Sequence, residues 1–502
     1  MKKITLLLLL LTLPALGQEK YTIKADLPEM TVGDLLKHTD TLFKPESNFS
    51  YNCTTNYLLP YKNILLDISA QPDYVEEQLA LIKKDSLQPY PYSNLGLYYE
   101  NKGEAVLSQK YYNSALDKVK NLSVEKDSAR YYSYKSYIKY HVGQDGAAEM
   151  EKALSINKTD SLAVVFYPMY LLGTQKYDEA KRILSGTLDN EKFKYGAYLM
   201  LFMAETFSEI AKMSDTKGDA SDAYAKIDLK TFVDMRPYQK YFKKNDDYFE
   251  LMREMADMFV VTMKMMGTLS DRDYKPAAAD LALVEAKEKF FKSHLKKKDA
   301  NLFGLYMSLG ASSLARRDFK ASVDYYQKAI DDFPKDKESV LFSRLDAYYN
   351  IATIHHYLKE YDKSIAVVKQ VVAIETLTPA NKSAALLALG KLYFEQNNLD
   401  AATDYGSQAV AVQETFDATL FMAYMYLRQG LGTLSNRYAE KAQRLSSTLD
   451  NLSDIVNYFM IMKIADGHPD DAVAVFNDNK ESLAGTCQTC EYIIAHYLEE
   501  KK

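Results

Sequence analysis

Residues 316–334 read RRDFKASVDYYQKAIDDFP, and the order of small and large side chains in this stretch decides the fold. With the preceding LFGLYMSLGASSLA (302–315), apolar and small residues recur at the three- and four-residue spacing typical of amphipathic helices. The pattern predicts two antiparallel helices with a break near Arg317-Asp318 and an end at Pro334, which cannot continue a helix. Small residues stand where the helices would approach most closely, namely Gly310, Ser322 and Ala329. Large residues stand where the groove between them needs filling, namely Tyr306, Phe319 and Tyr326.

This pattern resembles the tetratricopeptide repeat (TPR), a helix–turn–helix unit of about 34 residues with the pattern W-x2-L-G-x2-Y, then A-x3-F, then P. Leu309-Gly310 and Pro334 match that pattern directly. Tyr306, Ser322 and Tyr326 stand where the family has Trp, Ala and Phe. The equivalent positions Leu309, Ile351 and Leu389 are 42 and 38 residues apart (351−309 and 389−351), so these repeats are longer than the standard unit.

The pattern recurs along the chain. It is clearest in 92–115, 348–371 and 384–409, where a Leu-Gly or Ile-Ala pair precedes a tyrosine and then small or apolar residues at repeat spacing. Weaker copies occupy 131–154, 172–184, 420–442 and 456–476.

The resemblance implies an all-α fold, specifically a right-handed α-solenoid of TPR-like helix–turn–helix repeats. The predicted boundaries run in chain order: signal peptide 1–17, N-terminal arm 18–70, TPR-like repeats 71–190, atypical helical segment 191–300, TPR-like repeats 301–480, and C-terminal capping helix 481–502. A solenoid needs such a cap because an open end would expose the apolar face of the last unit.

The N-terminus has the features of a secretory signal peptide. Lys2 and Lys3 precede the apolar run 4–13, and Ala15-Leu16-Gly17 places small residues before a cut at Gln18. The run is too short to span a membrane, so we expect an exported protein without a transmembrane segment, in the periplasm or at the cell surface. Short Asp-Ser/Thr-apolar stretches such as Asp85-Ser86-Leu87 resemble the O-glycosylation sites of exported bacterial (Bacteroidetes-like) proteins.

Composition narrows the class of partner. The net charge of −6 over 502 residues gives no global attraction to phosphate backbones, so we expect no nucleic acid. Hydrophobic residues make up 47% of the chain, which is enough for a large core. Methionines are concentrated in 252–266, and at helical spacing we interpret them as core-filling residues.

In this family the first helix of each pair lines a concave surface, so the resemblance implies a partner-binding groove there. The groove-facing positions of the three strongest units fall in three groups: Met307, Ala311 and Leu314; Tyr349, Thr353, His356 and Tyr357; and Leu387, Lys391, Phe394 and Glu395. This aromatic and apolar lining suits a protein or peptide partner, within a possible envelope-associated complex. The alternative is that another segment of the same chain fills the groove.

Two short motifs could carry chemistry. His355 and His356 are adjacent on a helix and point about 100° apart, so they are not expected to share a metal. Cys487 and Cys490 form a CxxC motif at the start of the last helix, and we interpret it as a disulfide that fixes this helix. A thiol-redox site or a metal site remains the alternative reading of this pair.

The lead hypothesis is therefore an exported TPR adaptor or scaffold, not an enzyme and without cofactors, that holds a protein or peptide partner in its concave groove. A cell-surface or periplasmic glycan- or small-ligand-binding protein is the alternative, because 41 tyrosines could form sugar platforms. A thiol-redox protein that uses the C-terminal CxxC is the third hypothesis.

Overall fold

The structure, a computed structural model, is built from helix pairs and falls into two compact units. Unit 1 comprises residues 1–47 and 386–502, and unit 2 comprises residues 48–385. The residues described are 21–23, 74–101, 105–122, 128–160, 162–191, 193–214, 224–230, 232–268, 274–297, 300, 302–333, 344–374, 377, 379–446, 449–483 and 487–500. The predicted signal peptide, Pro334 and all of the N-terminal arm except 21–23 lie outside them.

Unit 2 begins with helices that correspond to the first predicted repeat block. They are α1 (Tyr74–Lys84), α2 (Tyr90–Asn101), α3 (Ala105–Val119), α4 (Ala129–His141), α5 (Ala147–Ile156), α6 (Tyr167–Gly173) and α7 (Tyr177–Ser185). A π-helical turn, Leu162–Phe166, leads into α6. α2 packs against α3, α4 against α5, and α6 against α7, so each pair is a helical hairpin.

The second half of unit 2 continues with α8 (Lys194–Ser214), a 3-10 turn (Arg236–Tyr241), α9 (Asp247–Gly267), α10 (Ala278–His294), α11 (Leu302–Ala315), α12 (Phe319–Asp331), α13 (Arg344–Tyr357) and α14 (Tyr361–Val372). α11 and α12 are the two helices predicted from the opening stretch, and they pack against each other as expected. Of the methionines in α9, five are buried: Met252, Met255, Met258, Met263 and Met265. Their interpretation as core residues is therefore confirmed.

Unit 1 holds the C-terminal helices. The helix α15 (Pro379–Glu395) reaches it from unit 2, followed by α16 (Leu399–Val412), α17 (Phe416–Arg428), α18 (Gly432–Leu445), α19 (Leu449–Ala465), α20 (Pro469–Asn479) and α21 (Gln488–Tyr497). The predicted capping helix is α21, and it packs against α19. With these helices, the fold is all-α and of the TPR-like solenoid class predicted from the sequence.

Unit 1 also contains a short strand pair. β1 (Tyr21–Ile23) pairs antiparallel with β2 (Leu498–Glu500), with Tyr21 opposite Glu500 and Ile23 opposite Leu498. The backbone N–H of Tyr21 also donates to Asp470 Oδ1 at 2.6 Å, at the start of α20. A segment from the beginning of the chain therefore completes the C-terminal end of unit 1.

The close approach of paired helices depends on small residues, as the opening stretch predicts. A Cβ atom added at Gly310 of α11 would lie 2.6 Å from the ring of Tyr326 in α12, a distance at which one of them must move. Gly96 and Tyr112 repeat this contact between α2 and α3, at 2.8 Å. Tyr326 and Tyr112 are almost fully buried, so each ring fills the groove that the glycine opens.

Serine at the alanine position of the repeat makes a bond that alanine could not. The Ser322 hydroxyl donates to the carbonyl oxygen of Gly310, twelve residues earlier on the partner helix, at 2.8 Å. Ser364 and Ser435 make the same bond to Ala352 and Ala423, at 2.9 and 2.7 Å. This substitution therefore joins the two helices of a pair at their closest point by a buried hydrogen bond.

The turns between first and second helices share one backbone conformation. Each described turn of this kind has a residue with φ between +59° and +82°, and these residues are Gly143, Gln175, Arg317, Lys359, Asn397, Gly430 and Gly467. The next residue donates its backbone N–H to the carbonyl five positions back, as from Asp318 to Ser313 at 3.0 Å. This is the Schellman ending of a helix. Asp318 then caps α12 by accepting from the N–H of Ala321, so α12 begins directly after the turn.

In the segment 191–300, which does not follow the repeat pattern, ion pairs of two buried lysines join α9 to α10. Lys264 of α9 donates to Asp280 of α10 at 2.6 Å and to the carbonyl oxygen of Ile227 at 2.5 Å, and both charged side chains are buried. Lys287 of α10 reaches Glu254 and Asp257 of α9, each at 2.6 Å. These bonds bridge α9 and α10, and both helices also pack against α11.

Candidate functional site

The predicted groove positions of α11 are inside the helix packing of unit 2. Met307, Ala311 and Leu314 are at most 1% exposed. The reason is that both α9 and α10 pack against α11. The structure therefore differs from the expectation that these side chains line an open groove, and for α11 it favours the alternative that neighbouring segments of the chain cover it.

The predicted positions on α13 are more accessible. Thr353 is buried, whereas Tyr349, His356 and Tyr357 are half-buried. The ring of Tyr357 lies 5.1 Å from that of Phe319, and the ring of His356 lies 5.6 Å from that of Tyr361. Each of these side chains thus packs on one side and leaves part of its surface in solvent.

Arg317 fixes this edge of α13. Its guanidinium donates to the Tyr357 hydroxyl at 3.4 Å and to the carbonyl oxygens of Thr268 and Tyr274 at 3.3 and 3.4 Å. It also lies over the rings of Tyr274 and Tyr357, 5.6 and 5.9 Å from their centroids. Sequence reasoning identified Arg317 only as part of a helix break, because nothing local shows where a long side chain ends.

The adjacent histidines have separate roles. His355 Nδ1 lies 2.7 Å from Glu360 Oε2, across the turn that follows α13, whereas His356 faces Tyr361. Both histidines are half-buried. Among the described residues, no group of three or more His, Cys, Asp or Glu side chains is arranged to hold a metal ion.

In unit 1, the positions predicted on α15 differ in exposure. Leu387, Lys391 and Phe394 are buried, at 3%, 3% and 8%, and Glu395 is exposed. The guanidinium of Arg428 from α17 lies 4.8 Å from the ring centroid of Phe394 and covers part of that ring. The groove was predicted to be mainly aromatic and apolar, and Lys391 places a buried cation among its residues.

Two aspartates influence the charge of Lys391. Burial lowers the pKa of Lys391 to about 8, and the carboxylates of Asp417 on α17 and Asp454 on α19 act in the opposite direction. Asp417 is exposed and Asp454 is half-buried. The sequence pattern identified neither aspartate as a groove residue.

The cysteine pair lies beside α19. The sulfurs of Cys487 and Cys490 are bonded to each other at 2.09 Å, and both residues are at most 3% exposed. Cys487 is the N-cap of α21, the Ser453 hydroxyl lies 3.1 Å from its sulfur, and the Asn457 side-chain oxygen lies 3.0 Å from the sulfur of Cys490. The pair thus ties the start of α21 at the point where it meets α19.

The tyrosines pack mainly on one another. Tyr99 stacks on Tyr111 with centroids 5.5 Å apart, and Tyr393 stacks on Tyr405 at 5.4 Å, in both cases between the two helices of one pair. Each stack occupies one face of both rings. These tyrosines therefore serve the helix seams, which is a structural use of residues that could otherwise form sugar platforms.

Comparison with known families matches part of the chain: residues 343–415 fit the tetratricopeptide repeat model. The match spans about one seventh of the chain. The match covers α13 to α16, whose helix pairs show the seams and turns described above. It agrees with the fold, which is an all-α TPR-like solenoid. No curated protein sequence matches the chain.

Several solved structures are similar to the chain at 12–14% identity. Yeast Tom70 has a TM-score of 0.40, with 92% of this chain and 95% of that chain covered. The Cut9–Hcn1 hetero-tetramer of the APC/C has a TM-score of 0.29, with 92% of each chain covered. The TPR domain of P58(IPK) has a TM-score of 0.20, with 78% and 99% covered. No helix among the described residues is long and apolar enough to cross a membrane.

Proposed function

We propose that the protein is an exported TPR scaffold that binds a protein or peptide partner through the inner faces of its first helices. The observation that carries this proposal is the tetratricopeptide match over residues 343–415, since the helices of such repeats present side chains to a partner. The accessible parts of this surface are the half-buried Tyr349, His356 and Tyr357 in unit 2 and the exposed Glu395 in unit 1. Tyrosine is among the side chains that most often dominate binding energy at protein interfaces.

Export is a part of the proposal that rests on the sequence of residues 1–17. It is tested by N-terminal sequencing of the purified protein and by cell fractionation. Export predicts an N-terminus at Gln18 and recovery outside the cytoplasm. An intact Met1 in a cytoplasmic fraction would remove this part and leave the scaffold function standing.

Site-specific photocrosslinking in cells tests the scaffold function. A photoreactive amino acid at Tyr349 or Glu395 is expected to capture a discrete protein adduct, because both positions are accessible on first helices. Asp324 of α12 and Glu440 of α18 are exposed positions on second helices and serve as controls. Adducts that are equally abundant at all four positions, or absent from all four, would contradict the proposal.

Glycan binding remains the second candidate function, supported by the number of tyrosines. Calorimetric titration with oligosaccharides separates it from peptide binding, since the two functions predict heat from different ligands.

The thiol-redox hypothesis requires a partner thiol to reach a sulfur, and both sulfurs are buried. If Cys487 and Cys490 resist reduction and alkylation in the folded protein, that hypothesis fails and the disulfide is structural.

A further inference from the structure

A cavity lies where α10 meets the C-terminal end of α11, within unit 2. Its volume is about 590 Å³, which is in the range of sites that hold small molecules. Pro276, Leu281 and Ala315 provide its apolar wall. The rest of the lining is charged and comes from α10 and from Arg316, the residue that follows α11. The cavity therefore has the two parts of a ligand site, an apolar wall and a few polar groups that orient what binds.

The sequence of α10 places its cavity residues on one side of the helix. Leu281, Glu288 and Lys292 are seven and four residues apart (288−281 and 292−288), which is the spacing of one helix face. The side chain of Lys287 instead reaches α9, where it pairs with two carboxylates. The cavity face of α10 is therefore separate from the face that joins α10 to α9.

The apolar wall is fixed from the end of α11. Arg317 donates to the carbonyl oxygen of Tyr274 at 3.4 Å, and its guanidinium lies 5.6 Å from the centroid of the Tyr274 ring. Tyr274 is two residues before Pro276 (276−274), so these contacts hold the chain that forms the wall. The consecutive arginines of the opening stretch thus have different roles, since Arg317 positions the wall and Arg316 lines the cavity.

Glu288 is the buried ionic group of the cavity. Its side chain is 9% exposed, and each of its two oxygens faces a cation: Oε1 lies 2.5 Å from Lys292 Nζ, and Oε2 pairs with Arg316 Nη1. Glu285 and Lys289, which also line the cavity, pair with each other at 3.2 Å. One carboxylate thus faces two cations, and the three cations and two carboxylates of the lining give a net charge of about +1 (3−2) at neutral pH.

Arg316 carries donors that this arrangement leaves for a second acceptor. Its side chain is 36% exposed, and among the described residues its guanidinium pairs with Glu288 alone. A guanidinium has five N–H donors in a planar fork and binds carboxylates through pairs of them. Because a buried carboxylate already holds one side of the guanidinium, the fork is oriented before a ligand arrives, which lowers the entropic cost of binding.

We propose that this cavity binds a small organic acid with a short apolar chain. The carboxylate of the acid accepts hydrogen bonds from Arg316, in the excess positive charge that Arg316 and Lys292 create around Glu288, and the chain lies against the apolar wall. The net charge disfavours a cation, and an acid without a chain leaves the wall unused. This site does not depend on the scaffold function and gives the atypical segment a role of its own.

The binding test compares isocaproate with three ligands that each lack one feature: its neutral amide isocaproamide, the cation isoamylammonium, and acetate. Isocaproate is expected to bind the full chain with a Kd on the order of 1 mM, measured by ligand-observed NMR. The amide is expected to bind about tenfold more weakly, because it cannot form charge-assisted hydrogen bonds. Acetate is also expected to bind about tenfold more weakly, because it lacks the apolar chain. No binding of isoamylammonium is expected.

Variants test the contact with Arg316. Arg316→Gln is expected to abolish the preference for isocaproate over isocaproamide, because an uncharged side chain cannot pair with the carboxylate. Arg130→Gln is the matched control, since Arg130 is an exposed arginine on α4 and not part of the cavity lining. Lys292→Gln is expected to keep part of the preference, because Arg316 remains. Circular dichroism of each variant checks that its helices remain folded.

Chemical modification tests the same contact in the natural protein. Phenylglyoxal reacts with exposed guanidinium groups, and mass spectrometry gives the rate at each arginine. Saturating isocaproate is expected to slow the modification of Arg316 severalfold and to leave that of Arg130 unchanged. Isocaproamide at the same concentration is expected to protect Arg316 less.

The outcomes decide for or against the site. Isocaproate binding that is lost in Arg316→Gln and kept in Arg130→Gln, together with protection of Arg316 from phenylglyoxal, would support it. Equal affinities for the acid and its amide, a preference that survives in Arg316→Gln, or an unchanged rate of Arg316 modification would refute it. No isocaproate binding at about twenty times the expected Kd would refute it as well. The photocrosslinking result is independent of all these measurements, so the scaffold function is judged separately.

Discussion

At the scale of single residues, the turns show that chemically different residues adopt one backbone conformation. Gly143, Gly430 and Gly467 adopt positive φ without steric cost, because glycine has no Cβ atom. Gln175, Arg317, Lys359 and Asn397 adopt the same φ and bear that cost. The turn geometry is therefore imposed by the helix packing on either side and not by the turn residue.

The cost of this conformation can be measured at Lys359, whose side chain is exposed. Lys359→Gly is expected to stabilise the α13–α14 hairpin by about 1 kcal/mol, since glycine removes the left-handed strain. Hydrogen exchange of the α13 and α14 amides measures this change as local protection. Arg317→Gly is the matched comparison, because it removes the same strain in the turn between α11 and α12. It also removes the bonds to Thr268, Tyr274 and Tyr357, so the amides of these two helices are expected to lose exchange protection. A gain of protection in both variants would show that the Arg317 bonds contribute little.

A second prediction at this scale concerns Ser435. Its hydroxyl bonds to the Ala423 carbonyl oxygen at 2.7 Å and lies 2.6 Å from the buried Tyr458 hydroxyl. Ser435→Ala is expected to cost about 2 kcal/mol, because it leaves the Tyr458 hydroxyl without this partner in a buried place. Ser322→Ala, which loses the single bond to Gly310, is expected to cost about 1 kcal/mol. Amide hydrogen exchange compares the loss of stability in α17–α18 for Ser435→Ala with the loss in α11–α12 for Ser322→Ala. Equal losses would contradict the contribution of the Tyr458 hydroxyl.

At the scale of elements, the same seam is filled in different ways along the chain. Between α11 and α12 a glycine faces a tyrosine, whereas α15 and α16 both present glycine, at Gly390 and Gly406. There Phe421 of α17 approaches both glycines, so the next helix supplies the bulk. At this seam the large side chain comes from the following helix and not from the second helix of the pair. The local sequence pattern could not show this exchange.

The stability of the helix pair α9–α10 depends on the ion pair between Lys264 and Asp280. Lys264→Met is expected to destabilise this pair by about 3 kcal/mol, because Asp280 would remain buried without its cation. The double variant Lys264→Met/Asp280→Leu is expected to recover most of that loss, since no unpaired charge remains. Hydrogen exchange in α9 and α10 is the measurement. A double variant as unstable as the single one would mean that the bond from Lys264 to the Ile227 carbonyl carries the stability.

The pair α4–α5 is expected to be sensitive to acid. Burial opposes the charged form of Glu149, but hydrogen bonds from Lys139 and Lys135 outweigh it and lower the pKa of Glu149 below its usual value. A carboxylate with a lowered folded-state pKa stabilises the fold above its unfolded pKa of about 4.3, and this contribution is lost as the pH falls through the folded pKa.

Protection of α4 and α5 is therefore expected to decrease as the pH is lowered from about 5. Glu149→Gln should start from lower protection and show a smaller decrease. Lys152→Gln, an exposed change on the same helix, is the control and should follow the natural protein. A Glu149→Gln variant with the natural acid response would contradict the role of these ion pairs.

At the scale of the whole molecule, residues far apart in sequence build one end of unit 1. β1 pairs with β2, and Tyr21 also bonds to Asp470. A chain that begins at residue 24 lacks β1 and is expected to lose exchange protection at β2, α21 and the start of α20. The helices α11 and α12, which belong to unit 2, are expected to be unaffected. Unchanged protection at β2 would show that the strand pair adds no stability.

The helix class, the repeat seams and the positions of most helices in the TPR-like blocks were predictable from the sequence. These features depend on residues close together in the chain, such as Gly310 and Tyr326, whose size pattern repeats at helical spacing. The candidate site was predictable only in part. Lys391 was identified from its repeat position, but its burial and the influence of Asp417 and Asp454 were not.

Sequence alone thus determined that the chain forms paired helices that approach through small residues, because that information is local and periodic. Tertiary structure alone decided which inner-face residues stay accessible, that buried ion pairs hold α9 to α10, and that β1 completes the C-terminal end. These features depend on contacts between residues from about 16 to more than 470 positions apart (280−264 and 498−23), and no local spacing encodes such contacts. The physical reason is that burial and charge compensation are properties of the packed chain, whereas helix periodicity is a property of a short segment.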